Sequence, residues 1–348
     1  METKLWEMPE TEPNLEKLNE AAKLLKAGEL IAFPTETVYG LGANALDEKA
    51  VRKIYLAKGR PSDNPLIVHV CSMEDVEELV REIPPKARTL MENFWPGPLT
   101  LVLPKAKKIP EIITAGLDTV AIRMPAHLVA LKLIELAQCP VAAPSANISG
   151  KPSPTTAQHV WQDLNGKIAG IVDGGRADIG VESTVLDVTL EVPTILRPGG
   201  ITREQLIKVI GKVNLDTALF NVEAVPRSPG MKYTHYSPEA DVVIFKGNTS
   251  ETVTKIMKVL ENPNEQKIGL MVSQEIFQNL PKKLSKNIVI KVLGSQGDLE
   301  TITANLFDAL RWFDQKGVSI IYAESFPESH IGAALMNRLI KAAGGKMQ

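Results

Sequence analysis

Between residues 30 and 200 the chain keeps returning to short apolar runs rich in β-branched residues: "LIAFPT", "PLIVHV", "LTLVLP", "TVAIRMP", "PVAAPS", "AGIVDGG", "STVLDVT" and "TILRPGG". Runs this short, closed by Pro, Gly or Ser, read as buried strands and not as core helices. Helical segments stand among them. "LEKLNEAAKLLKAG" places apolar residues at three-to-four spacing and closes at Gly28, a C′ glycine. "DEKAVRKIYLAKG" and "MEDVEELVREI" read the same way. The mixture implies an α/β domain built around a large mixed sheet.

From Asp241 the rhythm is more regular. "VVIFKG", "KIGLMVS", "NIVIKVL" and "SIIYAES" are strands, separated by helical stretches such as "TSETVTKIMKVLEN" and "LETITANLFDALRWFDQKG". That is the pattern of a small parallel, Rossmann-like β/α domain. At 348 residues the chain exceeds one ordinary core, which also favours two domains. The expected division is a catalytic domain at 1–212, a linker at 213–240 and a small β/α domain at 241–348. Within the linker, "VPRSPGMKYTHYSPEA" has three prolines, no apolar period, and Lys232, Tyr233, His235 and Tyr236. A passive tether is usually plainer.

Composition excludes several classes. A net charge of −2 gives no bulk attraction for nucleic acid or an anionic membrane. Cys71 and Cys139 form no CxxC, which argues against a disulfide framework or structural zinc and fits a reducing cytoplasm. The acidic, proline-punctuated N-terminus is not a secretory signal, and no apolar run approaches the roughly 18 residues of a spanning helix. There is no P-loop, HExxH or GxSxG, and the five histidines do not cluster in sequence, so no protein metal site is expected. "GLGANA" at 40–45 matches GxGxxA formally. The acid expected some twenty residues on falls near Asp63, in a Pro-bracketed loop, so the segment reads as a tight turn against the sheet.

Several polar groups sit where a bland fold would not put them. Arg123 in "TVAIRMP" must hold an anion or a structural salt bridge, because an unpaired buried guanidinium is costly. His69 in "LIVHV", taken alone, reads as a core histidine. Ser145 and Asn147 in "AAPSANISG" follow a strand, where α/β sheets bind ligands or where side chains make turns. Ser183, Arg197 and the trio Thr35, Glu36 and Thr37 occupy similar positions. "KGRPSDNP" adds Lys58 and Arg60 in a proline-stiffened loop, expected to be exposed. Cations and hydroxyls gathered at strand ends describe a site for a polyanion such as a nucleotide.

"FPTETVYGLG", "KGRPSDNPL", "AAPSANISGKPSPT", "ESTV", "LRPGG" and "SPGMKYTHYSP" together resemble the threonylcarbamoyl-AMP synthase family in its long, two-domain form. The likeness spans nearly the whole chain and implies a YrdC-like domain with a large twisted mixed sheet, followed by the small β/α domain. It implies an enzyme that converts L-threonine, bicarbonate or CO2, and ATP into threonylcarbamoyl-AMP and pyrophosphate, with Mg2+ entering on the ATP phosphates. The product then passes to the tRNA threonylcarbamoyl transferase machinery. Carried over by residue, the resemblance implies a catalytic tetrad of Lys58, Arg60, Ser145 and Asn147. It implies a threonine pocket of Thr37, His69, Arg123, the backbone at Ala143, and Ser183. ATP contacts are implied for Arg60, Asn64, Thr119, Ser145, Ser153, Arg197 and Tyr236, with residues 228–238 folding over the nucleotide as a lid. A cytoplasmic enzyme follows, without membrane association. The rival reading, an RNA-binding or ribosome-associated module or a weak RNA contact beside catalysis, is opposed by the net charge and by 5% aromatic residues.

Overall fold

The computed structural model describes residues 2–216, 236–261 and 266–348. The chain divides into two compact units. One holds the described residues up to 149 and from 153 to 216; the other holds 150–152 and the described residues from 236 onward.

In the first unit eleven described strands make one sheet: β1 (Lys4–Glu7), β2 (Ile31–Phe33), β3 (Gly40–Asn44), β4 (Ile67–His69), β5 (Leu99–Pro104), β6 (Thr119–Arg123), β7 (Val141–Ala142), β8 (Gly170–Asp173), β9 (Thr184–Asp187), β10 (Thr194–Arg197) and β11 (Asn214–Leu215). Their spatial order is β1-β8-β2-β3-β7-β4-β6-β5-β9-β10-β11. Pairing is mixed. For example, β4 runs parallel to β6 and antiparallel to β7.

Side chains alternate across each strand, and this alternation creates the site. On one face Val68, Leu101, Leu103, Ile122 and Leu186 join the large core with Ile54, Leu90 and Leu206. On the opposite face Ile67, Ala121, Val102, Val185 and Leu196 make a small apolar cluster of their own. The helix Leu15–Lys26 and the helix Leu128–Ala137 contribute Leu18, Leu25, Val129 and Leu133 to a further core around Phe33 and Val141.

Three sequence expectations change. "GLGANA" is not a turn: residues 40–44 are β3, paired antiparallel with β2 and β7. Its glycines permit close packing. A Cβ on Gly42 would stand 2.9 Å from both the Phe33 ring and Val141. The helix expected over "MEDVEELVREI" stops at Leu79, because Val80 turns extended and bridges to Lys105. Strand β1, which pairs parallel with β8, lies in an N-terminal stretch too acidic and proline-rich to read as an element.

The second unit contains a parallel sheet of β12 (Asp241–Phe245), β13 (Ile268–Val272), β14 (Ile288–Val292) and β15 (Ile320–Glu324), ordered β12-β15-β13-β14. This is the β/α arrangement read from the sequence. Residues 217–235, with most of the expected lid, lie outside the described residues.

Candidate active site

The candidate residues of the first unit occupy two ends of one sheet face. At one end, β4 and β6 finish side by side, with His69 and Arg123 as register partners. The Arg123 side chain is buried and held on three sides. Its Nε donates to the Gly97 carbonyl at 3.3 Å and its Nη1 to Thr37 Oγ1 at 2.9 Å. Its Nη2 lies 2.6 Å from Oε2 of Glu36, which is also buried. The anion beside Arg123 is therefore Glu36. Thr37 comes from the loop between β2 and β3. That loop is pinned where the Glu36 and Thr37 carbonyls accept from the Ile179 and Gly180 amides at 2.9 and 3.1 Å.

His69 is 4% exposed, and burial, seconded by the Arg123 charge, lowers its pKa to about 3. It is a neutral imidazole at physiological pH. On neighbouring strands, Ser183 Oγ lies 2.7 Å from Thr100 Oγ1 and accepts from Arg197 Nη2 at 3.1 Å. Arg197 also donates to the Ser183 carbonyl through Nε and Nη2. Ser153 Oγ donates to buried Glu182 at 2.5 Å.

The other end lies where β4 and β6 begin. Lys58 is the last residue of the helix Glu48–Lys58, which Asp47 caps and Gly59 closes in the left-handed region at φ 62°. Contrary to expectation Lys58 is 2% exposed, and its Nζ donates to the Ser145 and Asn147 carbonyls at 2.5 Å each. Ser145 Oγ reaches Asn147 Oδ1 at 2.5 Å. An amine among carbonyls is stable when buried only because these acceptors replace water. Arg60 is half-buried and reaches back to the Asn64 and Pro65 carbonyls at 3.5 and 3.3 Å. Asn64 is 1% exposed, yet among the described residues neither Oδ1 nor Nδ2 has a hydrogen-bond partner. A buried amide left so is expensive unless something else completes it. Thr119 opens β6, at the opposite end of that strand from Arg123.

Ala143 stands between the ends. Its amide donates to Ile67 at 2.9 Å, so what it offers a ligand is its carbonyl. Four steps along β6 separate Thr119 from Arg123, about 13 Å at strand rise. Tyr236 belongs to the second unit, where its ring stacks on Phe307 at 5.1 Å with the Arg338 guanidinium 5.6 Å from its centroid.

Known proteins carry the same frame. The family model described as "Telomere recombination" (Sua5, YciO, YrdC) matches residues 23–199, and that of the threonylcarbamoyl-AMP synthase C-terminal domain matches 201–344. The chain is 50% identical to the threonylcarbamoyl-AMP synthase of Bacillus subtilis, covering 100% of this chain and 99% of that protein. It is 51% identical to the synthase of Pyrococcus abyssi over 94% of each. The crystal structure of P. abyssi Sua5 complexed with L-threonine superposes with a TM-score of 0.92 at 48% identity, covering 99% of both chains.

This chain belongs to the threonylcarbamoyl-AMP synthase family.

Within that family frame the residues fall toward two ends of the face, although Arg197 and Ser153, implied for ATP, bond to Ser183 and Glu182 beside the His69–Arg123 end. Thr37, His69, Arg123 and Ser183 gather toward one end of the face, and Lys58, Ser145 and Asn147 at the other, with Arg60 and Asn64 on the same loop. Two buried acids lie beside them: Glu36, marked in the sequence as a polar residue after a strand but given no ligand, and Glu182, which was not marked. The available signal was their position: each precedes an assigned residue, Thr37 in "PTETV" and Ser183 in "VESTV".

Proposed function

We propose that this protein is a threonylcarbamoyl-AMP synthase, a nucleotidyltransferase that joins L-threonine, bicarbonate or CO2, and ATP into threonylcarbamoyl-AMP with release of pyrophosphate. The reading rests most on the two-ended face: an arginine beside a neutral histidine at one end, and a lysine–serine–asparagine cluster at the other. Arg123 would take the threonine carboxylate as a charge-assisted pair. Thr37 and Ser183 would meet its hydroxyl, and the Ala143 carbonyl would lie toward its nitrogen. Lys58, Arg60 and the Asn64 amide would face the nucleotide, with Thr119, Ser153, Arg197 and Tyr236 as its further contacts.

The chemistry follows from placement. Threonine's amine adds to CO2 with loss of a proton, or condenses with bicarbonate with loss of water, and a carbamate oxygen then attacks the α-phosphorus while pyrophosphate leaves. The protein supplies no covalent nucleophile. It holds the carbamate near the phosphate and counters charge that builds on the phosphoryl oxygens. Cations at the nucleotide end suit phosphate and not a bare metal ion, so Mg2+ belongs to the substrate MgATP. The tRNA threonylcarbamoyl transferase machinery would consume the product, which places the enzyme in the cytoplasm with its substrates. Among the described residues no helix is long and apolar enough to cross a membrane.

The test is pyrophosphate release with ATP, threonine and bicarbonate omitted in turn. Release should require all three. Release without threonine would overturn the proposal.

A further inference from the structure

Arg123 and Glu36 form a buried pair of unequal members. The guanidinium is fixed by Gly97 and Thr37, through Nε and Nη1, before Glu36 is counted. The carboxylate is not fixed. Oε2 sits 2.6 Å from Arg123 Nη2, but neither atom is aligned for a hydrogen bond, and Oε1 has no hydrogen-bond partner among the described residues. Glu36 is nonetheless only 7% exposed. A buried ion pair that serves architecture normally has its remaining lone pairs satisfied. This one lacks a donor on the acid side.

A ligand that brought only a carboxylate to Arg123 would put two anions side by side where screening is weak, and Glu36 would oppose it. A ligand that brought a carboxylate and an ammonium together would remove the conflict. Its carboxylate takes Arg123, its ammonium takes Glu36, and one buried ion pair becomes two with no net charge added. His69 cannot supply that cation, since it is neutral there. Oε1 is the acceptor that an ammonium would meet.

We infer that Glu36 is the residue that reads the α-ammonium of the substrate, making the site selective for a zwitterionic amino acid over the matching hydroxy acid. Glu36 holds on Arg123 the place that the substrate carboxylate would take; on binding it releases Arg123 and turns to the ammonium. The inference rests on the proposal that Arg123 binds the threonine carboxylate, and it adds a residue that proposal does not contain.

The experiment is titration calorimetry of the full-length protein with three probes. They are L-threonine, 3-hydroxybutanoate, which lacks the amine, and threoninol, which lacks the carboxylate. The intact protein should bind threonine tenfold to a hundredfold more tightly than 3-hydroxybutanoate, about the worth of one charged hydrogen bond. In Glu36→Gln the gap should close from both sides, with threonine weaker and 3-hydroxybutanoate unchanged or tighter. Glu36→Asp should keep part of the preference. Equal binding of threonine and 3-hydroxybutanoate by the unaltered protein would overturn the inference even if Glu36→Gln failed to fold. So would a Glu36→Gln protein that lost all three probes alike, because the acid would then only shape the pocket. No threonine binding at all by the unaltered protein would fell the functional proposal, a distinct result.

Discussion

Lys58 shows how far one side chain can depart from what its loop suggests. A lysine next to a Gly and a Pro-bracketed polar segment reads as a surface cation, yet its Nζ is enclosed by the Ser145 and Asn147 carbonyls. Removing it therefore acts twice. Lys58→Met should lower stability by about 1–3 kcal/mol, because carbonyls lose a buried donor. It should also lower turnover by roughly a hundredfold to a thousandfold if the charge acts on the transition state. Arg60→Ala is the contrast. It is half-buried and reaches its own loop at 3.3 and 3.5 Å, and stability should fall by about 0.5–1.5 kcal/mol while turnover falls as far. Urea denaturation and steady-state pyrophosphate release separate the two effects. Near-normal turnover in either variant would remove it from the catalytic group.

At the scale of elements, β3 decides between two readings of the same glycines. A phosphate-binding turn and a closely packed strand both want Gly40 and Gly42, but for different reasons. Here the need is packing: Phe33 and Val141 leave no room for a Cβ at Gly42. Gly42→Ala should destabilise the protein by about 1–3 kcal/mol through overpacking. ATP affinity, measured by titration at a temperature where the variant is folded, should be unchanged. A selective loss of ATP binding would revive the dinucleotide-type reading. The displaced Phe33 ring stands edge-on to His69 at 6.0 Å, so any functional effect should fall on threonine.

For the whole molecule, Gly150–Pro152 ties the two units through the chain itself. The segment begins three residues after Asn147 and precedes Ser153, yet packs as part of the second unit. There Arg311 donates to the Pro152 carbonyl through Nε at 3.1 Å and Nη2 at 2.6 Å, and the Ser237 amide donates to Gly150 at 2.9 Å. Arg311→Ala should loosen this segment, raising the KM for ATP by about threefold to tenfold, equivalent to about 1 kcal/mol. The KM for threonine should stay near its starting value. Equal changes in both would mean general destabilisation, and no change would mean that the segment does not order the nucleotide end.

The α/β class, the parallel second sheet and most strand positions were legible in the amino-acid sequence. Apolar β-branched runs and helical periodicity are local signals, and local signals survive in one dimension. It also marked Lys58, Arg60, His69, Arg123, Ser145, Asn147, Ser183 and Arg197, because polar residues at strand ends stand out against apolar neighbours. The chain's own pattern did not reveal that β4 and β6 are neighbours in register. That pairing puts His69 beside Arg123 and leaves Thr119 at the far end. Nor did it reveal the partners. Glu36 reads as one acid in a polar loop until folding carries Arg123, eighty-seven residues on, to within 2.6 Å of it. Burial and pairing depend on contacts between distant segments, and those the tertiary structure alone decided.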